Sequence, residues 1–463
     1  MVMSVEAIER EIKGHEAELE KLCRTIWENP EPGYREVIAC ESICSILKKE
    51  GFEVETGIGG ISTAIRAVWG DGKPAIGFLA EYDSLPGLSQ ECVPYKKSAG
   101  KEYGHGCGHN LMGTACLGAV LGLRSEMIKK GTKGTIVYLG CPAEESMGGK
   151  LFLAREGVFH GLDCAISFHP MTVNRVTVGS SLAVNQFRLH FYGKSAHASA
   201  DPQNGRSALD ALELTNVGIN YLREHVPSDV RIHYTITDGG KAPNIVPEYA
   251  AGLYFVRASS RENVDEVYRR VLKVAQGAAL MTETELKADF LGGCYNKLHN
   301  KVLCELICEC MKDTIQEPWS KEELKFAEEI NRTVPGYYKK TVEKYQLSPN
   351  DQLHRGVLPL LTEGSMGSSD TGDVSWIVPT ATFWTACMPL GTPGHSWQLT
   401  ASVGSSIGFK GAMFAARSMA LWGVRLLENP LILERAKAEF SEVTKNRPYR
   451  SPLPEGICPP VGH

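Results

Sequence analysis

The chain begins with two stretches in which apolar residues recur every three or four positions. Residues 5–28 and 35–50 both show this spacing, which is typical of a helix with one buried face. Between them lies Asn29-Pro30-Glu31-Pro32-Gly33, a run of turn-forming residues. The pattern therefore predicts two amphipathic helices before the first buried strand.

Short uninterrupted apolar runs follow, and each is bounded by turn residues. Such runs are typical of buried strands in an α/β sheet. They cover residues 75–80, 134–140, 163–168 and 379–384, and apolar helices are predicted at 111–127 and 401–427. Because ligand sites in these sheets lie outside the carboxyl ends of the strands, the ionisable residues after each run are expected to meet there.

A different pattern, strand-helix-strand repeated twice, occupies residues 184–292. Strands are predicted at 184–192, 231–237, 250–257 and 284–290, and helices at 206–225 and 262–278. This βαββαβ order is that of the ferredoxin-like fold. Since 463 residues exceed what one core usually supports, we expect an α/β catalytic domain (1–183 and 293–463) with a ferredoxin-like α+β insertion (184–292).

Composition narrows the class of protein. The chain is 43% hydrophobic and 22% charged, with a net charge of -5 and no long run of one sign. A nucleic-acid-binding role is not expected, because that requires a concentrated basic surface. No signal-peptide core or membrane span of about 18 apolar residues is expected either. The 14 cysteines are scattered, which favours reduced thiols in the cytoplasm.

The stretch Gly104-His105-Gly106-Cys107-Gly108-His109-Asn110 combines a thiol and two imidazoles with flexible glycines. A Cys and a His two positions apart could also lie on one buried strand. Further candidate metal ligands favour the metal interpretation, namely a Glu pair and two more histidines: Glu144, Glu145, His169 and His395. Together they predict a metal site.

The Glu pair and Cys107 each leave alternatives open. In a hydrolytic centre, one of Glu144 and Glu145 can bind metal while the other takes a proton from water, although adjacent acids are common on surfaces. Cys107 is a core thiol, a nucleophile or a metal thiolate. A cysteine hydrolase has no use for the other candidate ligands, so their presence favours a metal site. Their mixed sulfur, nitrogen and oxygen atoms suit zinc or a neighbouring ion, and five ligands are enough for two ions.

Residues of the predicted insertion are candidates for contacting substrate. His197 and Asn244 lie on two of its loops, and His197 is a candidate for stabilising charge on a carbonyl oxygen. Arg206 and Arg257 are candidates for gripping a carboxylate, since a guanidinium pairs with it in bidentate fashion. A structural histidine and a solvated arginine are the competing interpretations.

Seven motifs, in this order along the chain, resemble those of the dinuclear metallo-amidohydrolases of the aminoacylase and carboxypeptidase type. The closest branch is similar to the p-aminobenzoyl-glutamate hydrolases, with dipeptide and N-acyl-amino-acid hydrolases. The motifs are EYDSLPG at 81–87, HGCGHN at 105–110, PAEE at 142–145, HP at 169–170, GKSAH at 193–197, APNIVP at 242–247 and PGHS at 393–396.

The resemblance implies an α/β zinc-peptidase-like domain and an inserted lid that also forms a homodimer. It implies two zinc or manganese ions held by Cys107, His109, Glu145, His169 and His395, with Glu144 as general base and acid. His197 and Asn244 would complete the site of the partner subunit. Asp83 and His105 would lie next to the metal ligands and orient them.

This chain departs from relatives at three motif positions. Cys107 stands where the aminopeptidase-like members have a bridging aspartate, and Glu81 where they have a ligating histidine. Asn110 stands where the auxin-conjugate and hippurate hydrolases have aspartate. These departures bear on which metal is bound and which substrate is taken.

The sequence thus predicts hydrolysis of an amide between an acyl or aminoacyl group and a small amino acid. A cysteine hydrolase that uses Cys107 would be blocked by alkylation and indifferent to chelators. A catalytically silent relative would bind a peptide-like ligand without metal-dependent turnover. These are the two alternative functions.

Overall fold

The computed structural model describes residues 2–146 and 148–460, with side chains from residue 5 onward. Its helices are α1 Val2–Gly14, α2 Glu16–Glu28, α3 Val37–Lys49, α4 His109–Lys130, α5 Gly149–Arg155, α6 Ala208–Leu222, α7 Arg261–Thr282, α8 Lys301–Asp313, α9 Lys321–Thr333, α10 Pro335–Tyr345, α11 Thr371–Ser375, α12 Trp397–Val403, α13 Ser406–Glu428 and α14 Pro430–Thr444. Its strands are β1 Glu53–Thr56, β2 Ile65–Asp71, β3 Ala75–Ala80, β4 Leu85–Pro86, β5 Tyr103–Gly104, β6 Gly134–Gly140, β7 Cys164–Met171, β8 Arg175–Val176, β9 Ala183–Tyr192, β10 Arg231–Asp238, β11 Tyr249–Ala258, β12 Glu285–Cys294 and β13 Thr380–Ala386.

A seven-stranded mixed sheet forms the centre of the molecule, in the order β1-β2-β6-β3-β7-β13-β8. The four inner strands β6, β3, β7 and β13 are parallel, and the outer strands pair antiparallel. The predicted strands over residues 75–80 and 134–140 are confirmed. Since the inner strands run the same way, their carboxyl ends lie along one edge of the sheet, which positions the site.

Helix α4 lies at the centre of the largest hydrophobic core and packs against α13, α1 and α2. By length and composition alone this helix, which the sequence predicted at 111–127, could cross a membrane. Most of its apolar stretch, 83%, is buried inside the protein. It therefore has the surroundings of a core helix in a globular fold.

Two long helices predicted from the sequence are broken in the structure. The stretch 5–28 forms α1 and α2, with a turn at His15, so that both pieces pack on α4. The stretch 401–427 belongs to α12 and α13, because Gly404 ends the first and the Ser405 hydroxyl caps the second by accepting from the amide of Ile407. Apolar spacing continues through both turns, so periodicity alone did not show them.

A second, four-stranded antiparallel sheet has the order β10-β11-β9-β12 and carries α6 and α7 against it. Its elements follow the βαββαβ order, and its strand order is that of a ferredoxin-like sheet. Buried side chains of these elements form a hydrophobic core separate from that of the large sheet. Along the edge strand β10, most side chains are exposed.

Candidate metal centre

The carboxyl ends of the inner strands bring the predicted ligands to one edge of the large sheet. Glu81 and Asp83 follow β3, Glu144 and Glu145 follow β6, and His169 lies near the end of β7. Helix α4 begins at His109, directly after the Cys107-Gly108 turn. The strand ends therefore set the geometry of the site, as the α/β pattern predicts.

Backbone conformation at this edge is constrained by the turns. Gly108 has φ +86°, and a Cβ there would lie 3.0 Å from Pro170 and 3.1 Å from Val403. Ala143, just before the Glu pair, and His395 also have positive φ, 59° and 48°. Such a conformation is costly for residues other than glycine and is found at functional sites, where surrounding contacts maintain it.

One group of potential ligand atoms comes from Cys107, His109 and His169, whose atoms all lie within 4.8 Å of one another. The sulfur of Cys107 is 3.3 Å from Nε2 of His169. Each histidine is oriented through its other nitrogen: Nδ1 of His109 donates to Asp83 at 2.7 Å, and Nδ1 of His169 donates to the carbonyl of Pro170 at 2.8 Å. Both Nε2 atoms are thus left for a metal.

A second group comes from Cys107, Glu145 and His395, again within 4.8 Å. Oε1 of Glu145 lies 3.5 Å from Nε2 of the half-exposed His395. Cys107 belongs to both groups, so its sulfur can bridge two ions. Two buried atoms here, Nε2 of His109 and Oε1 of Glu145, have no hydrogen-bond partner among the residues that the structure describes. Unpaired buried polar atoms are costly, so this mixed S, N and O set fits divalent metal ions.

Behind the ligands lies a buried ion-pair group that the sequence did not reveal. Nζ of Lys150 is 2.6 Å from Glu81 and 2.6 Å from Asp370, and all three side chains are buried. The other oxygen of Glu81 is 3.4 Å from Nε2 of His109. Burial raises the pKa of Glu81, but Lys150 and His109 outweigh it and lower that pKa to about 2. Glu81 is therefore ionised beside the ligands.

The Glu pair is placed for two different roles. A carboxylate oxygen of Glu144 lies within 4.8 Å of Glu81 and His109, whereas Glu145 faces Cys107 and His395. Asp83 also accepts the backbone N–H of Glu145 at 2.9 Å. Burial and then the charges of Glu81 and Asp370 raise the pKa of Glu144 well above its usual value. A raised pKa suits a group that both takes up and gives back a proton.

The contact between Cys107 and His169 also resembles a thiol beside its base. Burial raises the pKa of Cys107 and lowers the pKa of His169 to about 4. Without metal, both groups are therefore neutral, which is the opposite of the thiolate and imidazolium that a cysteine nucleophile needs. The arrangement favours the metal-ligand interpretation of Cys107.

His105 is buried but belongs to neither ligand group. Its Nε2 is hydrogen bonded to the carbonyl of Ile26 in α2 at 3.0 Å, and burial lowers its pKa to about 4. The side chain ties the ligand loop to α2. His105 therefore holds the backbone of this loop in place, whereas Asp83 contacts a ligand side chain directly.

His197 and Asn244 lie together on exposed loops of the second sheet. The amide of Ala198 donates to the carbonyl of Asn244 at 3.0 Å, and His197 forms a bridge with Ile245. Neither residue lines the cavity at the ligand groups. The chain thus brings these two residues together, but not to its own ligand cluster.

The two predicted carboxylate-binding arginines differ in position. Arg206 does not line the cavity; its guanidinium is paired with Glu283 at 2.9 Å and donates to nearby carbonyls. Arg257 donates to the hydroxyl of Ser368 at 3.0 Å, and Ser368 lines the cavity. The structure therefore brings Arg257 near the site through one contact and leaves Arg206 outside it.

A cavity of about 280 Å³ opens beside the ligand groups. Its wall includes four residues that sequence analysis did not single out: Arg175, Lys297, His299 and Trp384. Trp384 lies in a strand that the apolar pattern predicted, but the pattern gave no sign that its ring faces a cavity. Arg175 lies six residues after His169, and this short separation was the one sign in the sequence that it could lie near the site.

Comparison with known proteins identifies the family of the chain. The model of peptidase family M20/M25/M40 matches residues 77–403. A p-aminobenzoyl-glutamate hydrolase subunit of Escherichia coli is 37% identical over 458 residues, which cover 94% of each chain. The Xaa-Arg dipeptidase of Mus musculus is 29% identical over 438 residues, 90% of this chain and 88% of that protein.

Solved structures agree with the fold. A dinuclear metal binding peptidase from Bacillus subtilis is similar with TM-score 0.59 and 18% identity, covering 90% of this chain and 99% of that one. An aminobenzoyl-glutamate utilization protein from Klebsiella pneumoniae has TM-score 0.60 and 16% identity, covering 89% and 98%. At these identities the likeness concerns the mixed α/β fold.

Proposed function

The chain belongs to peptidase family M20/M25/M40 and is an amide-bond hydrolase, and we propose that it cleaves N-acyl amino acids, aminobenzoyl-glutamate-like conjugates or dipeptides. The observation that carries this proposal is the meeting of Cys107, His109, His169, Glu145 and His395 beside Glu144. The similarity to the p-aminobenzoyl-glutamate hydrolase and to the dipeptidase supports this choice of substrates.

Two divalent ions, zinc or manganese, are proposed to occupy the two ligand groups. His109 and His169 would hold one, Glu145 and His395 the other, and Cys107, which belongs to both groups, would complete the ligand set. When bound, such ions polarise the scissile carbonyl and lower the pKa of water. Lys150 neutralises Glu81 behind the site and so limits the negative charge next to the ligands.

Glu144 is proposed as the general base and acid. Its carboxylate takes a proton from water as the oxygen attacks the carbonyl carbon. The same group then gives the proton to the nitrogen as the C–N bond breaks, so the base is regenerated for the next turnover. Asp83 holds the His109 ring and the Glu145 backbone in place during both steps.

A homodimer through residues 184–292 is proposed, in which this unit also closes as a lid and His197 and Asn244 reach the partner's site. The exposed edge strand β10 and the exposed loops of His197 and Asn244 support this. Two similar Escherichia coli proteins are named as different subunits of p-aminobenzoyl-glutamate hydrolase, so a second kind of chain is the alternative partner. Light scattering of the purified chain distinguishes a dimer from a monomer that awaits another chain.

A cytoplasmic location is also proposed. It is supported by the 14 cysteines, all of which are free thiols in the structure.

The proposed function is tested with a panel of N-acyl amino acids and dipeptides. Turnover should occur, disappear on treatment with a chelator and return with zinc or manganese. Alkylation of exposed thiols before metal removal should have little effect, since Cys107 would be protected as a ligand. Turnover that persists after complete metal removal would contradict the proposal and favour a cysteine hydrolase.

A further inference from the structure

The cavity beside the ligand groups has two chemically different ends. The ligand residues and Glu144 line one end, and two cations, Arg175 and Lys297, line the wall around the ring of Trp384. The Arg175 guanidinium carbon is 4.9 Å from the centre of that ring, and Nζ of Lys297 is 6.0 Å from it. His299 packs edge-on against the same ring, at 6.4 Å between ring centres. The cations therefore have defined positions.

Strand register links the two ends. Trp384 of β13 is paired with His169 of β7 on one side and with Arg175 of β8 on the other. The three residues thus form a row across neighbouring strands, and two strand spacings separate the Cα atoms of His169 and Arg175 by roughly 10 Å. A substrate that places its amide at the ligands extends along this row toward Arg175.

Both cations are partly buried, and among the described residues neither forms an ion pair with a carboxylate. Nη1 of Arg175 donates to the hydroxyl of Tyr345 at 2.9 Å, but its Nε is buried without a hydrogen-bond partner. Within the described part of the chain, the Lys297 ammonium makes no hydrogen bond or close ion pair, and burial lowers its pKa despite the attraction of Glu81 and Glu144. Enclosed donors without acceptors are costly, which indicates a ligand with acceptor oxygens.

A third cation of the same cavity is a natural comparison. Lys344 also lines it, but its ammonium is paired with Glu363 at 3.0 Å. Lys344 therefore has its counter-charge within the protein, whereas Arg175 and Lys297 have no ion-pair partner in the part of the chain that the structure describes.

We propose that Lys297 and Arg175, arranged around Trp384, form a subsite that selects an acidic, dicarboxylic amino acid on the leaving side of the scissile amide. Lys297 takes the α-carboxylate, which is the one nearer to the scissile amide. Arg175, at the far end of the row, takes the side-chain carboxylate. The inference rests on the proposed amide hydrolysis and narrows its substrate class to N-acyl glutamate and its close analogues.

Three matched substrates distinguish the contributions of the two carboxylates to binding. N-benzoyl-glutamate carries both, N-benzoyl-glutamine lacks the side-chain carboxylate, and the α-amide of N-benzoyl-glutamate lacks the other. For the metal-loaded wild-type enzyme, we expect KM to rise by about 10- to 100-fold when either carboxylate is lost, the usual weight of a hydrogen bond to a charged group, with a smaller change in kcat.

Variants assign the carboxylates to residues. Arg175→Gln should raise KM for N-benzoyl-glutamate and leave KM for N-benzoyl-glutamine nearly unchanged. Lys297→Met should raise KM for both of these substrates and leave the α-amide nearly unchanged. Lys339→Met, which breaks an exposed pair with Glu343 outside the cavity, is the control and should behave as wild type with all three. Thermal unfolding checks that each variant is folded.

The subsite can also be tested without variants or turnover. In calorimetry, the Kd of the wild-type enzyme for free glutamate should be about 10- to 100-fold lower than its Kd for glutamine. If wild type hydrolyses the three substrates with equal KM and binds both amino acids equally, the subsite is wrong while amide hydrolysis stands. If no substrate is hydrolysed but glutamate is still preferred, the proposed function fails and the subsite survives. Unchanged KM in both variants would show that the cations only offset the nearby carboxylates.

Discussion

The carboxylate of Asp83 accepts a hydrogen bond from Nδ1 of His109 at 2.7 Å, and both side chains are fully buried. Its second oxygen accepts the backbone N–H of Glu145 at 2.9 Å. One residue therefore fixes the ring of a proposed ligand of the first ion and the backbone of a ligand of the second. In this way the loops of His109 and Glu145, which are far apart in sequence, are held at a fixed distance from each other.

Replacing Asp83 by Asn should weaken metal binding by about 10- to 100-fold, because the amide group cannot accept both hydrogen bonds. The measurement is a competition titration with a chromogenic chelator. Asp71→Asn, a change at the exposed end of β2, is the control and should leave affinity unchanged. Equal affinities for the Asp83 variant and wild type would remove its supporting role.

Replacing Glu144 by Gln should lower kcat by about 10²- to 10⁴-fold and leave the metal content unchanged, because the amide cannot take up a proton. Elemental analysis and initial rates on the same preparation test both parts. Replacing Glu145 by Gln is the matched comparison and should instead reduce the metal content. A Glu144 variant with a near-normal rate would exclude the general-base role.

Replacing Lys150 by Met should lower the free energy of unfolding by about 3–5 kcal/mol, because Glu81 and Asp370 are left buried without their shared cation. Urea unfolding measures this change. Adding Asp370→Asn to the variant should restore part of the stability, since one uncompensated carboxylate is then removed. Lys49→Met, which breaks an exposed pair with Glu18, should show no measurable loss. Equal stability of Lys150→Met and wild type would contradict the account.

Acid should weaken the contact between Asp163 and the C-terminal helix α14. Burial raises the pKa of Asp163, but Lys437, the Ala75 amide and Lys73 outweigh it and keep that pKa below its usual 3.8. The ionised Asp163 therefore stabilises the folded state at pH values above the pKa that this residue has in the unfolded chain. This stabilisation is lost as the pH falls through the lower pKa that Asp163 has in the folded state. Asp163→Asn should lower Tm at pH 7, and the difference from wild type should shrink below about pH 4. A Tm difference that is independent of pH would contradict this.

The fold was largely predictable because its strands have a simple pattern. Short apolar runs with turns at both ends located β3 and β6 without error. Helices α8, α9 and α10 were not predicted, and the break at His15 was missed. Their ends depend on packing against other elements and on caps such as Ser320, whose hydroxyl accepts from the amide of Glu323. Apolar periodicity does not record such caps.

The ligand residues were predictable because Cys, His and Glu stood on the turns after predicted strands. Lys150 was not, since an isolated lysine usually lies in solvent, and its burial depends on Asp370, which is 220 residues further along the chain. The cavity wall was missed for the same reason. Arg175 and Trp384 become neighbours through strand pairing, which one sequence does not reveal.

The central claim is that two metal ions are held beside Glu144 by five side chains: Cys107, His109, His169, Glu145 and His395. Anomalous diffraction from crystals grown with zinc or manganese tests it most directly. We expect two peaks about 3.5–4 Å apart, with the sulfur of Cys107 within bonding distance of both, His109 and His169 at one, and Glu145 and His395 at the other. A single peak that Cys107 does not touch, or full occupancy of both sites in Cys107→Ala, would contradict the account.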